Sequence, residues 1–116
     1  MNCSDDHKDE FTFKAEQETY SLGTKEIKVK VINNSEKEQG YGQEFSIEKF
    51  ENNKWTKVEF ANDEFNELYC LIPSKYTGYI TYDLTRIKDF DKLKSGKYRI
   101  VHCIGEANRM AEFELK

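Results

Sequence analysis

From Phe11 onward, apolar and polar positions alternate one for one, and no stretch carries the spacing of an amphipathic helix. Phe11, Phe13 and Ala15 share one face, with Thr12, Lys14 and Glu16 on the other. After a turn through Tyr20-Ser21-Leu22-Gly23-Thr24, Ile27, Val29 and Val31 alternate with Lys28 and Lys30. This predicts a strand with one wet face. Asn33-Asn34-Ser35 ends it, and a polar loop follows through Gly40 and Gly42. Phe45 and Ile47 open the next strand. Glu51-Asn52-Asn53-Lys54 reads as a hairpin turn, because Asn tolerates positive φ, and Trp55, Val58 and Phe60 return from it. Leu68 to Ile72 is a short apolar run stopped by Pro73, an edge strand or a loop. Ile80, Tyr82 and Leu84 mark a further strand, and Arg86 to Leu93 reads as a short helical turn. Tyr98 and Ile100 lead a strand to Ile104. After a turn at Gly105-Glu106-Ala107-Asn108, Ala111, Phe113 and Leu115 alternate to the end. The pattern predicts about seven to eight short antiparallel strands in one domain.

Leu93-Lys94-Ser95-Gly96-Lys97-Tyr98-Arg99-Ile100 adds the sharper feature. A leucine, a turn glycine and then a tyrosine entering a strand form a tyrosine corner, with the ring at the core edge and the hydroxyl on nearby backbone. Tyr98 therefore points to an all-β, immunoglobulin-like β-sandwich. A chain of 116 residues matches one such domain. Only 37% of the residues are hydrophobic, but eight Phe, seven Tyr and one Trp build a core from few positions. The net charge of −4 argues against a nucleic-acid partner or a dominant attraction to anionic lipid.

The chain resembles the bacterial immunoglobulin-like domains of small secreted proteins and lipoproteins. The likeness rests on Tyr20-Ser21-Leu22-Gly23-Thr24-Lys25-Glu26-Ile27, the Val31-to-Ser35 strand end, Phe45-Ser46-Ile47-Glu48-Lys49 with Lys54-Trp55, and the Tyr98 corner. It implies a fold and no activity, and brings no functional residues with it. The second strand lacks the cysteine of antibody-type domains, and Ile100 stands where its partner would be. A weaker likeness is to small all-β protease inhibitors of bacteria.

The opening residues Cys3-Ser4-Asp5-Asp6 look like the start of a mature lipoprotein. Residues 1–10 thus read as a flexible tether with Cys3 as its candidate lipid anchor, and residues 11–116 as the domain. That leaves Cys70 and Cys103 as a candidate disulfide in an oxidising compartment, or as two buried thiols. By parity Cys103 lies on the face opposite Tyr98 and Ile100. His102 shares their face and reads as a hydrogen-bonded boundary residue. His7 with Cys3, Asp5, Asp6 and Asp9 matches no established zinc spacing. Asn33-Asn34-Ser35 also fits a glycosylation acceptor. No nucleophile motif, metal set or phosphate loop stands out, and Asp83, Glu67 and Glu64 as paired acids are a coincidence of composition.

Tyr41, Trp55, Tyr69, Tyr76 and Tyr79 are the candidate ligand contacts, aromatic side chains that face outward if the strands run undistorted. For Trp55 the preferred alternative is a twisted hairpin that lets the ring cap the core edge. Glu36 to Gln43 and Ala61 to Thr77 are the candidate contact loops. The expected function is a non-enzymatic, extracytoplasmic binding module, surface-anchored or secreted. It uses no cofactor and engages a protein or glycan. The alternative is a protease inhibitor acting through an exposed loop.

Overall fold

The computed structural model describes residues 3–4 and 10–116. Ten strands follow in order: β1 (Phe11–Ala15), β2 (Thr19–Tyr20), β3 (Glu26–Asn33), β4 (Gln39–Tyr41), β5 (Phe45–Glu51), β6 (Lys54–Lys57), β7 (Cys70–Ile72), β8 (Tyr76–Asp83), β9 (Gly96–Ile104) and β10 (Ala107–Leu115). They form a small sheet β1-β3-β8, a large sheet β2-β10-β9-β5-β6, and a two-stranded addition β4-β7. Between β8 and β9, two short 3-10 turns, Leu84–Arg86 and Phe90–Lys92, occupy the stretch where the sequence predicts a helical turn. The architecture is an immunoglobulin-like sandwich.

Alternation decides which faces meet. Ile27, Val29 and Val31 of β3 point inward with Tyr82 of β8, while Lys28 and Lys30 stay in water. Ile47, Tyr98, Ile100, Ala111, Phe113 and Leu115 of the large sheet close the core over Ile27, Val29 and Tyr82, while Val31 packs with Ile72 and Ile104 in a second cluster. Each fully buried aliphatic side chain stabilises the fold by about 1.5–3 kcal/mol. Two tight turns set the registers. Asn52-Asn53 and Gly105-Glu106 each place two successive residues at positive φ, the geometry that matches the right-handed twist of a hairpin. At the corner, the Tyr98 hydroxyl donates to the Lys94 carbonyl at 2.6 Å, and its ring stacks on Phe113 at 5.9 Å.

Several expectations are corrected. β6 stops at Lys57, and Phe60 reaches Ile87 only through an isolated bridge. Leu68 to Ile72 does contain a strand, but it pairs with residues of the predicted polar loop, Gln39 opposite Ile72 and Tyr41 opposite Cys70. Not every pairing is antiparallel: β2 lies parallel to the end of β10 because the chain crosses back to that edge after β1.

The largest correction concerns the cysteines. Cys103 is bonded to Cys3, and Cys70 is free. Cys103 faces away from the core, so its partner has to come from outside the sandwich, and the N-terminal segment supplies it. Ser4 adds to the β10 edge: its amide donates to Glu106 at 3.0 Å and its carbonyl accepts from Asn108 at 2.8 Å. Three residues of the expected tether are therefore docked: Cys3 through its disulfide, Ser4 on β10, and Glu10, whose carbonyl accepts from the Asn34 amide at 2.8 Å. The rest of it, with His7, Asp5, Asp6 and Asp9, lies outside the described residues.

A candidate binding site at the β4-β7 end

The β4-β7 pair sits at one end of the sandwich and is anchored there by buried polar contacts. Asn33, at the last position of β3, is fully buried. Its Nδ2 lies within 3.1 Å of the Lys37, Ile72 and Pro73 carbonyls, and its Oδ1 accepts from the Ser35 amide and hydroxyl. This overturns the glycosylation reading, because the acceptor nitrogen is enclosed and already bonded. On the other side, the Gly105 amide donates to the Gly40 carbonyl at 2.9 Å and ties β4 to the β9 end.

Under β4 runs a second network. His102 is buried, with Nε2 at 2.7 Å from the Gly42 carbonyl and Nδ1 at 2.7 Å from the Tyr82 hydroxyl. A carbonyl only accepts, so Nε2 carries the proton and Tyr82 donates to Nδ1. This bond joins β8 of the small sheet to β9 of the large one. Burial lowers the His102 pKa, opposed by its bond to Gly42. Burial also drives the Tyr82 phenol upward, with a smaller push from Tyr41. Tyr41 stands edge-on to His102 at 5.2 Å. Burial, and after it the neighbouring Cys70 thiol, push the Tyr41 pKa up to about 12.

Around Cys70, the outer side of β7 and the two residues leading into it are apolar and open. Leu68, Tyr69 and Leu71 are 65%, 56% and 55% exposed. Tyr69 lies against Gly40, where a Cβ would strike the ring at 2.6 Å, and Gly40 is the register partner of Leu71. The glycine thus lets the ring lie down beside the leucine. A cleft of about 460 Å³ opens next to Tyr69, with Glu36, Glu38 and Glu106 on its rim.

The five aromatic candidates are thereby separated. Tyr41, Tyr69 and Tyr76 gather at this end, Tyr41 as the packed floor and Tyr69 as the exposed wall. Tyr76 folds back over Gly78. Tyr79 stands on the outer face of the small sheet opposite Lys30. Trp55 does not cap the core. It lies on the outer face of the large sheet, 5.2 Å from Phe50, with the Arg99 guanidinium 4.3 Å above its ring. Arg99 is held in turn by Glu48 at 2.6 Å. Asp83 spends Oδ1 capping the first 3-10 turn through Thr85. Among the described residues, no group of three or more His, Cys, Asp or Glu is placed to hold a metal ion.

One buried charge escaped the sequence reading. Arg109 is 1% exposed, donates from Nε to the Ile104 carbonyl at 3.0 Å, and lies 4.4 Å over the Phe11 ring. Its signal was parity, since Ala107, Arg109, Ala111, Phe113 and Leu115 all fall on the inward face of β10.

The family model for the bacterial Ig-like domain matches residues 7–114. None of the curated proteins matches the sequence. Among solved structures, a β-glucosidase from Erythrobacter marinus aligns over 91% of this chain at 13% identity and a TM-score of 0.51. An alkylpurine DNA glycosylase from Pseudomonas fluorescens, bound to DNA containing an abasic site analog, aligns over 95% at 15% identity and 0.48. A β-glucosidase from Listeria innocua in complex with glucose aligns over 91% at 14% identity and 0.46. The chain spans 15%, 31% and 16% of those three proteins respectively. The likeness to the Erythrobacter enzyme is one of fold alone.

Proposed function

The chain belongs to the bacterial Ig-like domain family, and from that premise we propose that it is an extracytoplasmic, non-enzymatic module that binds a protein through the β4-β7 end. The family is generally non-catalytic. The observation that carries the proposal is the exposed run Leu68, Tyr69 and Leu71, three large apolar side chains of which Tyr69 lines a cleft. Exposed apolar groups grouped at one place and rimmed by polar residues mark interaction surfaces. Two leucines beside one tyrosine favour a protein over a sugar, because aliphatic side chains offer nothing to hydroxyl groups. Trp55 is a weaker contact, since Phe50 and Arg99 already engage its ring.

The Cys3–Cys103 disulfide supports export, as such bonds persist in oxidising compartments. It also competes with the lipid reading: a thioether-linked lipid needs the Cys3 sulfur that the disulfide holds. The disulfide-bonded domain is therefore read as secreted or attached by other means.

The test applies wild-type domain and a Leu68→Asp/Leu71→Asp variant of equal urea midpoint to a protein array, a glycan array and a protease panel. Retention on a protein probe that the variant loses supports the proposal. Retention on sugars alone, or protease inhibition that the variant preserves, overturns it.

A further inference from the structure

The small sheet ends in an open strand. In the order β1-β3-β8, strand β8 is an edge, and it has eight residues, the longest edge among the described strands. Its ladder with β3 shows which backbone groups are open. The Leu84 amide donates to the Lys25 carbonyl, and in an antiparallel ladder every second pair exchanges such bonds. Tyr82, Ile80, Gly78 and Tyr76 therefore bond to β3 through their register partners Ile27, Val29, Val31 and Asn33. Thr77, Tyr79 and Thr81 turn their N–H and C=O groups the other way, and no backbone bond among the described residues uses them.

Edges of this kind are usually defended by charge, proline or a bulge. The β6 edge carries Lys54 and Lys57, and β1 carries Lys14. From Tyr76 through Tyr82, β8 has no charge and no proline, and it is rich in Tyr, Thr and Ile, which favour strands. Charges sit only at its two limits, Lys75 just before it and Asp83 at its end.

We propose that β8 is a self-pairing edge, and that two copies of the chain join through antiparallel β8 strands about a two-fold axis at Tyr79. This register is the one in which the open groups match. Tyr79 exchanges both bonds with Tyr79 of the second copy, and Thr77 does so with Thr81. The same register brings Lys75, in the left-handed turn just before β8, and Asp83 of the second copy to each end of the joint, so charges of opposite sign meet there. Those charges remain available. Asp83 uses Oδ1 in its cap and leaves Oδ2, while Lys75, with three donors, contacts Glu36 at 3.2 Å and the Asn34 carbonyl at 2.8 Å. On the outer face, Tyr79 rings meet across the axis, a favourable cross-strand pair. The small sheets of two domains then form one continuous sheet, separate from the β4-β7 surface.

The assay is sedimentation equilibrium of the full chain at concentrations up to about 1 mM, the weak end of the affinity scale. Wild type is expected to associate to a dimer. Tyr79→Lys, which sets two ammonium groups face to face, is expected to be monomeric with an unchanged circular dichroism spectrum and urea midpoint. Leu71→Lys, on the β7 surface, is expected to dimerise as wild type does. A second measurement does not depend on affinity alone: in a Cys70→Ser background, Tyr79→Cys is expected to cross-link to a covalent dimer on mild oxidation, and Lys30→Cys, one strand inward, is not. A wild type that stays monomeric throughout, a dimer that survives Tyr79→Lys, a dimer lost in Leu71→Lys instead, or equal cross-linking at residues 30 and 79 overturns the proposal.

Discussion

Replacing Cys3 by Ser removes a bond between residues 100 apart in sequence. In the chain-entropy treatment, closing a loop of that length restricts the unfolded chain by about 4.7 kcal/mol. Native contacts change this little. The undocked segment gives up the two backbone bonds of Ser4, worth about 0.5–1.5 kcal/mol each, but regains about 1–2 kcal/mol of backbone entropy per freed residue. The two nearly cancel. Since natural domains hold only about 5–15 kcal/mol in total, the loss is a large share of the stability. With a urea m-value between about 1 and 2 kcal/mol/M, the midpoint falls by roughly 2 to 5 M. Urea unfolding followed by tryptophan fluorescence measures this, on Cys3→Ser and on reduced wild type, which should agree. Cys70→Ser serves as the control and should match oxidised wild type. A midpoint shift under about 0.5 M for Cys3→Ser refutes the reasoning, since that is under 1 kcal/mol and no long loop is then being restrained.

Three further outcomes are expected. Tyr98→Phe keeps the ring and removes the bond to Lys94, costing about 1 kcal/mol in the same assay. An unchanged midpoint would make the corner a packing feature only. As pH falls, the unfolded chain takes up a proton before His102 does, because burial lowers the folded value below 6.5. The His102 contribution is thus complete above about 6.5 and declines below it, so the urea midpoint of wild type should drop more between pH 7 and 5 than that of His102→Gln. Parallel profiles would contradict this. Gly105→Ala forces a side chain to φ +63 and into the Gln39 amide, and it should cost about 1–3 kcal/mol by urea unfolding. A loss below 0.5 kcal/mol, about the size of a neutral surface change, would show that β4 yields.

The parts of the fold legible in the sequence are those governed by period two. Ile27, Val29 and Val31, and likewise Phe113 and Leu115, face inward because the strand pleat leaves no other option once one side meets water. Asn52-Asn53 marks its hairpin through positive φ. What was hidden depends on contacts between distant segments. Gln39 to Tyr41 has a glycine at its centre and no alternation, and it becomes a strand only because Cys70 to Ile72 lies alongside. The Cys3 partner of Cys103 is set by how residues 3–4 fold back onto β10, which no local pattern encodes. Asn33 carries a sequon, and the sequon says nothing about whether its amide is free. For the β4-β7 surface, the individual aromatics were legible. Their sorting into floor, wall and separate faces was not, because that follows from the addition of β4 and β7 to the sandwich.

The same disulfide also decides how the domain carries load. A pull between the two ends of the chain passes from residue 3 straight to Cys103, so everything between them is bypassed by a covalent bond. Only the stretch from residue 104 to Lys116 lies in the line of tension. Most of that stretch is β10, held lengthwise against β9 over nine register pairs and against β2 at its end. It resists in shear, with its bonds loaded together rather than one after another. When it gives way, the released chain spans about 45 Å, against roughly 400 Å for a chain without the bond. Oxidised, the domain behaves under force as a stiff, short-travel link, and reduction converts it into an extensible one.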